Sequence, residues 1–315
     1  LDSGVEAAIA AWLAEDSDLA RTSQVFRETF DQLYDGQHTG RYRWDQLFKT
    51  EKTHYGTLLE INLRRAFDSI IEDGVHMDYR IAGQEIDCKY SQRSGGWMIP
   101  PEAYEQAALL LVAHADDELG TWQLGVVRSS SENVGRGMNR DRKKTLSPTG
   151  RAAIRWIAKD ASLPPNVLLH LPPSDVEWIF APRSGQERVN RLCRAAEGLR
   201  FGRSTVATVA RQDDFMKRMR ANGGARSALA ADGFLIPSGD YSAHRRIAEL
   251  LGAEVPRPGE FVSLRVVETS QRGVGIVELD GRRWRLAHQR DEPGAAPPLP
   301  SVKKFSSVDS ALGPS

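Results

Sequence analysis

Cysteine is almost missing from this chain: Cys88 and Cys193 are the two it has in 315 residues, far apart and without the paired spacing of a metal-ligand set. That excludes a disulfide-stapled scaffold and reads as two reduced thiols in a cytoplasmic protein. No run of 18 apolar residues occurs, and no signal-peptide pattern, so neither a spanning helix nor a secretory leader is expected. Net charge is absent too, with 42 Lys and Arg against 42 Asp and Glu, which excludes a chain that binds polyanions through bulk charge alone. No internal repeat is present.

The charge balance conceals an asymmetry. Residues 1–164 hold 20 basic and 25 acidic side chains, net −5, whereas residues 165–288 hold 19 and 14, net +5. Within the second part, 183–226 carries 11 Lys and Arg against four acids, a candidate polyanion surface whose alternative is a solvated helical face. The length suffices for two domains with separate cores. Residues 159–165 (Lys-Asp-Ala-Ser-Leu-Pro-Pro) read as a linker between a domain over 1–158 and a second over 166–288. A Pro-, Ser- and Ala-rich tail over 289–315 is expected to be disordered.

Helical periodicity runs over 4–14, 23–33 and 56–70, the last with Leu59, Leu63, Ala66, Phe67 and Ile70 as its buried stripe. The apolar runs Ala107–His114 and Trp122–Arg128 read as strands, giving an α/β fold with a mixed sheet of four or five strands flanked by helices. Ser147 and Pro148 cap and open a helix to about Ala158. In the second domain, short helices precede a basic helix over 215–221, a break at Asn222-Gly223-Gly224, resumed helix over 225–231 and a strand over 234–236. That order suggests a helix-turn-helix with a wing. A helix over 243–251 and strands near 261–267, 275–279 and 283–286 complete a small β subdomain.

The most informative stretch is Asp78–Lys89. Alternating apolar residues, Tyr79/Ile81 and Ile86/Cys88, flank Ala82-Gly83 and predict a tight β-hairpin. A two-residue loop sets Ile81 opposite Gln84, Arg80 opposite Glu85, Tyr79 opposite Ile86 and Asp78 opposite Asp87. One face is then apolar, and the other carries Asp78, Arg80, Glu85, Asp87 and Lys89. Two opposed carboxylates, roughly 5 Å apart at their β-carbons, destabilise a sheet unless something compensates. A hard divalent ion such as Mg²⁺ does so; the alternative is an exposed hairpin neutralised by Lys89 and Arg80. Glu60, beside the stripe of the preceding helix, is either a third carboxylate for that site or a surface partner of Arg64. The segment Arg140, Arg142, Lys143 and Lys144 suits phosphate contacts, as do Lys217, Arg218, Arg220 and Arg226 in the second domain.

An acid about ten residues before Asp87-Cys88-Lys89 resembles the spacing of PD-(D/E)XK nucleases. Leu33-Tyr34-Asp35-Gly36-Gln37-His38 resembles the Lys-x-Asp-Gly-x-Arg motif of DNA ligases, but Leu33 replaces the lysine that would carry the adenylate, so a turn and no ligase activity are expected. Several segments together resemble the NaeI-type restriction endonucleases: Asp31–Gln37, Arg41–Leu47, Lys49–His54, Asp87-Cys88-Lys89, Gln212–Arg218 and Gly223–Ser227. The resemblance covers about 30 to 290, in the same order.

What it implies is a homodimeric, Mg²⁺-dependent type IIE enzyme. The first domain would cut duplex DNA at a palindromic, GCCGGC-like site, and a winged-helix-like second domain would bind a further copy of the site as effector. The catalytic group would fall on Glu60, Asp78, Asp87 and Lys89, with Mg²⁺ on Asp87, Asp78 or Glu60, and the main-chain carbonyl of Cys88. The family is also known for a leucine at the place of Leu33, whose replacement by lysine rebuilds the ligase-like motif and changes the activity. The rivals are a non-enzymatic winged-helix DNA-binding regulator and a nicking or repair nuclease of the same fold.

Overall fold

The computed structural model describes residues 2–300, which fall into two compact units, 2–34 with 43–164, and 35–42 with 165–300. In the first unit, α1 (Ser3–Glu15) and α2 (Ala20–Tyr34) precede α4 (Lys49–Ala66); α3 (Gly36–Thr39) belongs to the second unit. Asp2 caps α1 by accepting the Gly4 and Val5 N–H groups. The sheet has six strands in the order β1 (Ile71–Asp73), β2 (Tyr79–Ile81), β3 (Gln84–Tyr90), β4 (Leu109–Asp116), β5 (Thr121–Arg128) and β6 (Arg155–Ser162). Only β3 and β4 are parallel to each other; the remaining pairs are antiparallel. Short helices α5 (Pro101–Glu105) and α6 (Pro148–Ala152) lie in the connections.

Both faces of this sheet are covered, which explains the unbroken apolar run of β4. Leu109, Leu111 and Ala113 join Trp12, Phe26, Phe30, Leu59 and Leu63 of the helices in one core. Leu110 and Val112 turn to the opposite face with Trp97, Ile99, Val127 and Ile154. The α/β expectation stands, with one strand more than expected. Neither β6, where helix to Ala158 and then linker were anticipated, nor β1, which follows the helix expected over 56–70, was among the strands read from the sequence. Ser147 and Pro148 do open a helix, but it ends at Ala152, and 155–162 pairs with β5 through a register shift, with Asp160 at φ 52°.

The second unit contains α3, α7 (Val167–His170), α8 (Pro173–Phe180), α9 (Gly185–Ala195), β7 (Arg200–Gly202) and α10 (Arg203–Ala210). There follow α11 (Ala225–Ala228), β8 (Phe234–Leu235), α12 (Ser242–Leu250) and strands β9 (Glu260–Val262), β10 (Leu264–Glu268), β11 (Ile276–Leu279) and β12 (Arg282–Leu286). Residues 35–42 are drawn here by tertiary contacts rather than by sequence order: Asn166 Nδ2 donates to the Tyr42 carbonyl at 2.7 Å, and a β-carbon on Gly36 would meet Thr208 Oγ1 at 2.0 Å. Asp35, at φ 48°, makes the expected turn, and Leu33 before it is buried in the first core.

The basic helix expected over 215–221 is a 3₁₀ segment, Phe215–Met219, and the helix expected over 225–231 shortens to α11. The chain doubles back between them so closely that a β-carbon on Gly224 would lie 2.5 Å from the Arg220 nitrogen. Of the tail expected to be disordered, 301–315 lies outside the described residues, but 289–300 is docked. Ala296 N–H donates to the Ala230 carbonyl, and Ala296 and Leu299 pack on the core of α12, β10 and β12.

That docking leaves a buried imidazole. His244 Nδ1 accepts the Ser238 N–H at 3.2 Å, and Nε2 lies 3.3 Å from the Pro300 carbonyl. Burial, reinforced by Arg226, pushes His244 down to about 4 from an ordinary 6.5. Between those values the unfolded chain binds the extra proton, so His244 contributes stability above pH 6.5 that is lost as pH falls through about 4. His244→Gln is expected to flatten that part of the pH dependence of thermal unfolding; an unchanged slope contradicts the assignment.

Candidate active site

The β2–β3 hairpin has the register its sequence dictates, Ile81 facing Gln84, Arg80 facing Glu85 and Tyr79 facing Ile86. Ala82 at φ 48° and Gly83 at φ 75° supply the two left-handed residues of a type I′ turn, whose twist matches that of its strands. Tyr79, Ile81, Ile86 and Cys88 are buried in the core beneath α4. Asp87 and Lys89 turn the other way, and Asp87 is nevertheless only 4% exposed.

Asp78, just before β2, reaches across the hairpin so that its Oδ2 accepts the Cys88 N–H at 2.8 Å. Lys89 Nζ donates to Asp87 Oδ1 at 2.7 Å and to the Cys88 carbonyl at 3.0 Å, and lies 3.6 Å from Asp78 Oδ2. Asp78, Asp87, Lys89 and the Cys88 carbonyl therefore meet at one point. Burial pushes the Asp87 carboxyl well above the usual carboxylate range, with Lys89 opposing the shift and Asp78 reinforcing it. Burial also opposes the Lys89 charge, but Asp87 and Asp78 outweigh it and hold Nζ protonated.

Glu60 sits on α4, half-buried. Burial and then the Asp78 charge push its carboxyl upward, while Lys89 pulls it down, so it shares the electrostatic field of the site. The surface pair with Arg64 is not formed, because Arg64 bonds Asp73 at 3.1 Å. Tyr79 Oη ties the hairpin to α4 by donating to the Glu60 carbonyl at 2.5 Å.

The donors present suit a hard divalent cation. Asp87 Oδ2 is a buried carboxylate oxygen without a hydrogen-bond partner, and the Lys89 ammonium is the cation its neighbours hold. Among the described residues no group of three or more His, Cys, Asp and Glu side chains is drawn together as a metal site. The expected trio Asp78, Asp87 and Glu60 is thus not assembled in advance; Lys89 Nζ lies between the first two carboxylates, and Glu60 stands apart.

Residues 6–294 match the family described as Restriction endonuclease NaeI, across both units. The chain is similar to the Type II restriction enzyme NaeI of Lentzea aerocolonigenes, with 44% identity over 309 residues, 95% of each chain. The chain belongs to the NaeI restriction endonuclease family.

The basic residues of this NaeI family member divide by what holds them. In the first unit Arg140 and Lys143 are exposed, whereas Arg142 bonds Glu105 at 3.0 Å and Lys144 lies over the Tyr104 ring. In the second, Arg220 is exposed, and Lys217 and Arg218 share the Asp214 carboxylate. Arg226 is turned inward: its Nε donates to the Ile236 carbonyl at 2.9 Å, its guanidinium lies over Phe261, and burial depresses its basicity.

Two groups escaped the sequence reading. Arg27, on the buried side of α2, bonds Asp117 twice and Asp31 once, and Tyr34 Oη donates to the same Asp117. The i,i+4 spacing of Arg27 and Asp31 was the one signal in the sequence; Asp117 lies 90 residues from Arg27, beyond the reach of any local pattern. Glu85 read as a partner of Arg80, which bonds Glu72 instead. Glu85 accepts the N–H groups of Val75, His76 and Met77, and the turn residue Gly74 was the signal that those donors needed an acceptor.

Proposed function

We propose that this type II site-specific DNA endonuclease hydrolyses phosphodiesters at the β2–β3 hairpin, as a Mg²⁺-dependent PD-(D/E)XK enzyme. The observation that carries the proposal is the buried, unpartnered Oδ2 of Asp87 beside Lys89. Asp87 and the Cys88 carbonyl would hold Mg²⁺ with Asp78 or Glu60. When bound, Mg²⁺ polarises the phosphoryl oxygen and stabilises the leaving oxyanion. Lys89, protonated, orients the attacking water and donates toward the phosphate. Asp78 restrains the hairpin through the Cys88 N–H and keeps Lys89 charged. Exposed Arg140 and Lys143 supply phosphate contacts that fix register but not sequence.

The substrate is a palindromic, GCCGGC-like site, and its two-fold symmetry is matched by a homodimer. The second unit, winged-helix-like in role, binds a further copy of the site as effector. Lys217 and Arg220 are better placed for this than Arg226, whose guanidinium is engaged inside the unit. Plasmids with two sites should be cut faster than plasmids with one, and chelation of Mg²⁺ should stop both. Lys217→Ala with Arg220→Ala should narrow the one-site against two-site difference and lower the salt slope of DNA binding by about one per residue. Equal cutting of both plasmids by the unaltered protein would refute the effector role; Mg²⁺-independent cutting would refute the metal assignment.

A further inference from the structure

The segment before Asp78 turns so tightly that a β-carbon on Gly74 would lie 2.1 Å from the Met77 carbonyl oxygen. Its side chains anchor it at one end only, for Met77 is buried in the core with Trp97 and Ile99, whereas Val75 is 72% exposed. What holds its main chain is Glu85, whose Oε1 accepts the Val75 N–H and whose Oε2 accepts those of His76 and Met77, each at 3.0 Å. Charge-assisted bonds of this kind are the stronger ones, and three converge on a single carboxylate. Asp78 is the next residue in the chain. On its other side, Tyr79 is fixed by pairing with Ile86. Without Glu85, the chain leading into Asp78 is held by the buried Met77 side chain alone, with the three main-chain N–H groups before it untied.

We infer that Glu85 is a positioning residue for the active site: by clamping residues 75–77 it places the Asp78 carboxylate beside Asp87 and Lys89, where a divalent cation is to be held. The inference rests on the metal reading given above. Glu85 touches neither Asp87 nor Lys89 through any hydrogen bond or ion pair among the described residues, so its influence runs through the loop.

The test uses the full chain and its cognate duplex, with Mn²⁺ affinity of the DNA complex measured by electron paramagnetic resonance. Glu85→Ala is expected to weaken Mn²⁺ about 10–100-fold, the usual cost of losing a group that orients a metal ligand. The Mg²⁺ concentration for half-maximal cleavage should rise in parallel, cleavage should recover at saturating Mg²⁺, and metal-free DNA affinity should not change. Glu85→Gln, which keeps one acceptor oxygen, should lie between, and it decides the matter if Glu85→Ala does not fold. Wild-type Mn²⁺ affinity and Mg²⁺ dependence in the folded variant would overturn the clamp. Asp78→Ala separates the two levels: if it too binds Mn²⁺ and cleaves like wild type, the site itself is misassigned, whereas a defect in Asp78→Ala alone refutes only the role of Glu85.

Discussion

Asp87→Ala is expected to slow single-turnover DNA cleavage by at least about 10³-fold, equivalent to roughly 4 kcal/mol of lost transition-state stabilisation, while metal-free affinity for the same duplex stays near wild type. The size follows from position. Asp87 brings a buried, unpartnered oxygen and the strongest contact of Lys89 to the site, so its removal takes away the metal ligand and loosens the ammonium together. Affinity is spared because the side chain is 4% exposed and faces its own site rather than a phosphate-binding surface. The fold should tolerate the change, since burial works against the Asp87 charge and Asp78 remains to neutralise Lys89. Gel-shift titration and quenched-flow cleavage on one preparation separate the two effects. Cleavage within tenfold of wild type, or parallel loss of binding, would contradict the assignment.

The second large effect concerns stability. Arg27 and Asp117 are 5% and 4% exposed and tie α2 to the turn after β4, with Asp31 and Tyr34 completing the network. Burial opposes the Arg27 charge, yet Asp31 and Asp117 more than restore it. Removing either partner leaves a buried charge without its counter-ion, a loss of about 3–5 kcal/mol. Asp117→Ala and Arg27→Ala are therefore each expected to lower the first transition in urea unfolding by that amount. The double variant Arg27→Met with Asp117→Leu should be less destabilised than the two single losses added together. Single losses under about 1 kcal/mol would place this network among weak surface pairs instead.

The hairpin was legible because its information is local. Period-two alternation fixes which faces Tyr79, Ile81, Ile86 and Cys88 occupy, and Ala82-Gly83 fixes the turn, so the register follows. β4 was legible because a strand covered on both faces is apolar throughout. β6 was not. It pairs with β5 alone, its outward residues are polar, and Ser147-Pro148 announces a helix without indicating that it stops after five residues. The transfer of 35–42 to the second unit depends on packing at Gly36 and on Asn166, both invisible to periodicity. Charge counting found the basic region but could not separate exposed Arg220 from Arg226, whose guanidinium is turned inward against Ile236 and Phe261. For Glu60 the expected surface pair with Arg64 gives way to the charges of Asp78 and Lys89, which reach it across the fold rather than along the helix.

The reading of Asp87 as the centre of a divalent-metal site is tested most directly by iron-directed backbone cleavage, in which Fe²⁺ replaces Mg²⁺, added hydrogen peroxide is split to hydroxyl radical at the bound ion and ascorbate returns the iron to Fe²⁺. Breaks clustered around residues 78 and 87–89, suppressed by excess Mg²⁺ and lost in Asp87→Ala, are the expected result. Breaks elsewhere in the chain, or a pattern unchanged by Asp87→Ala, would contradict it.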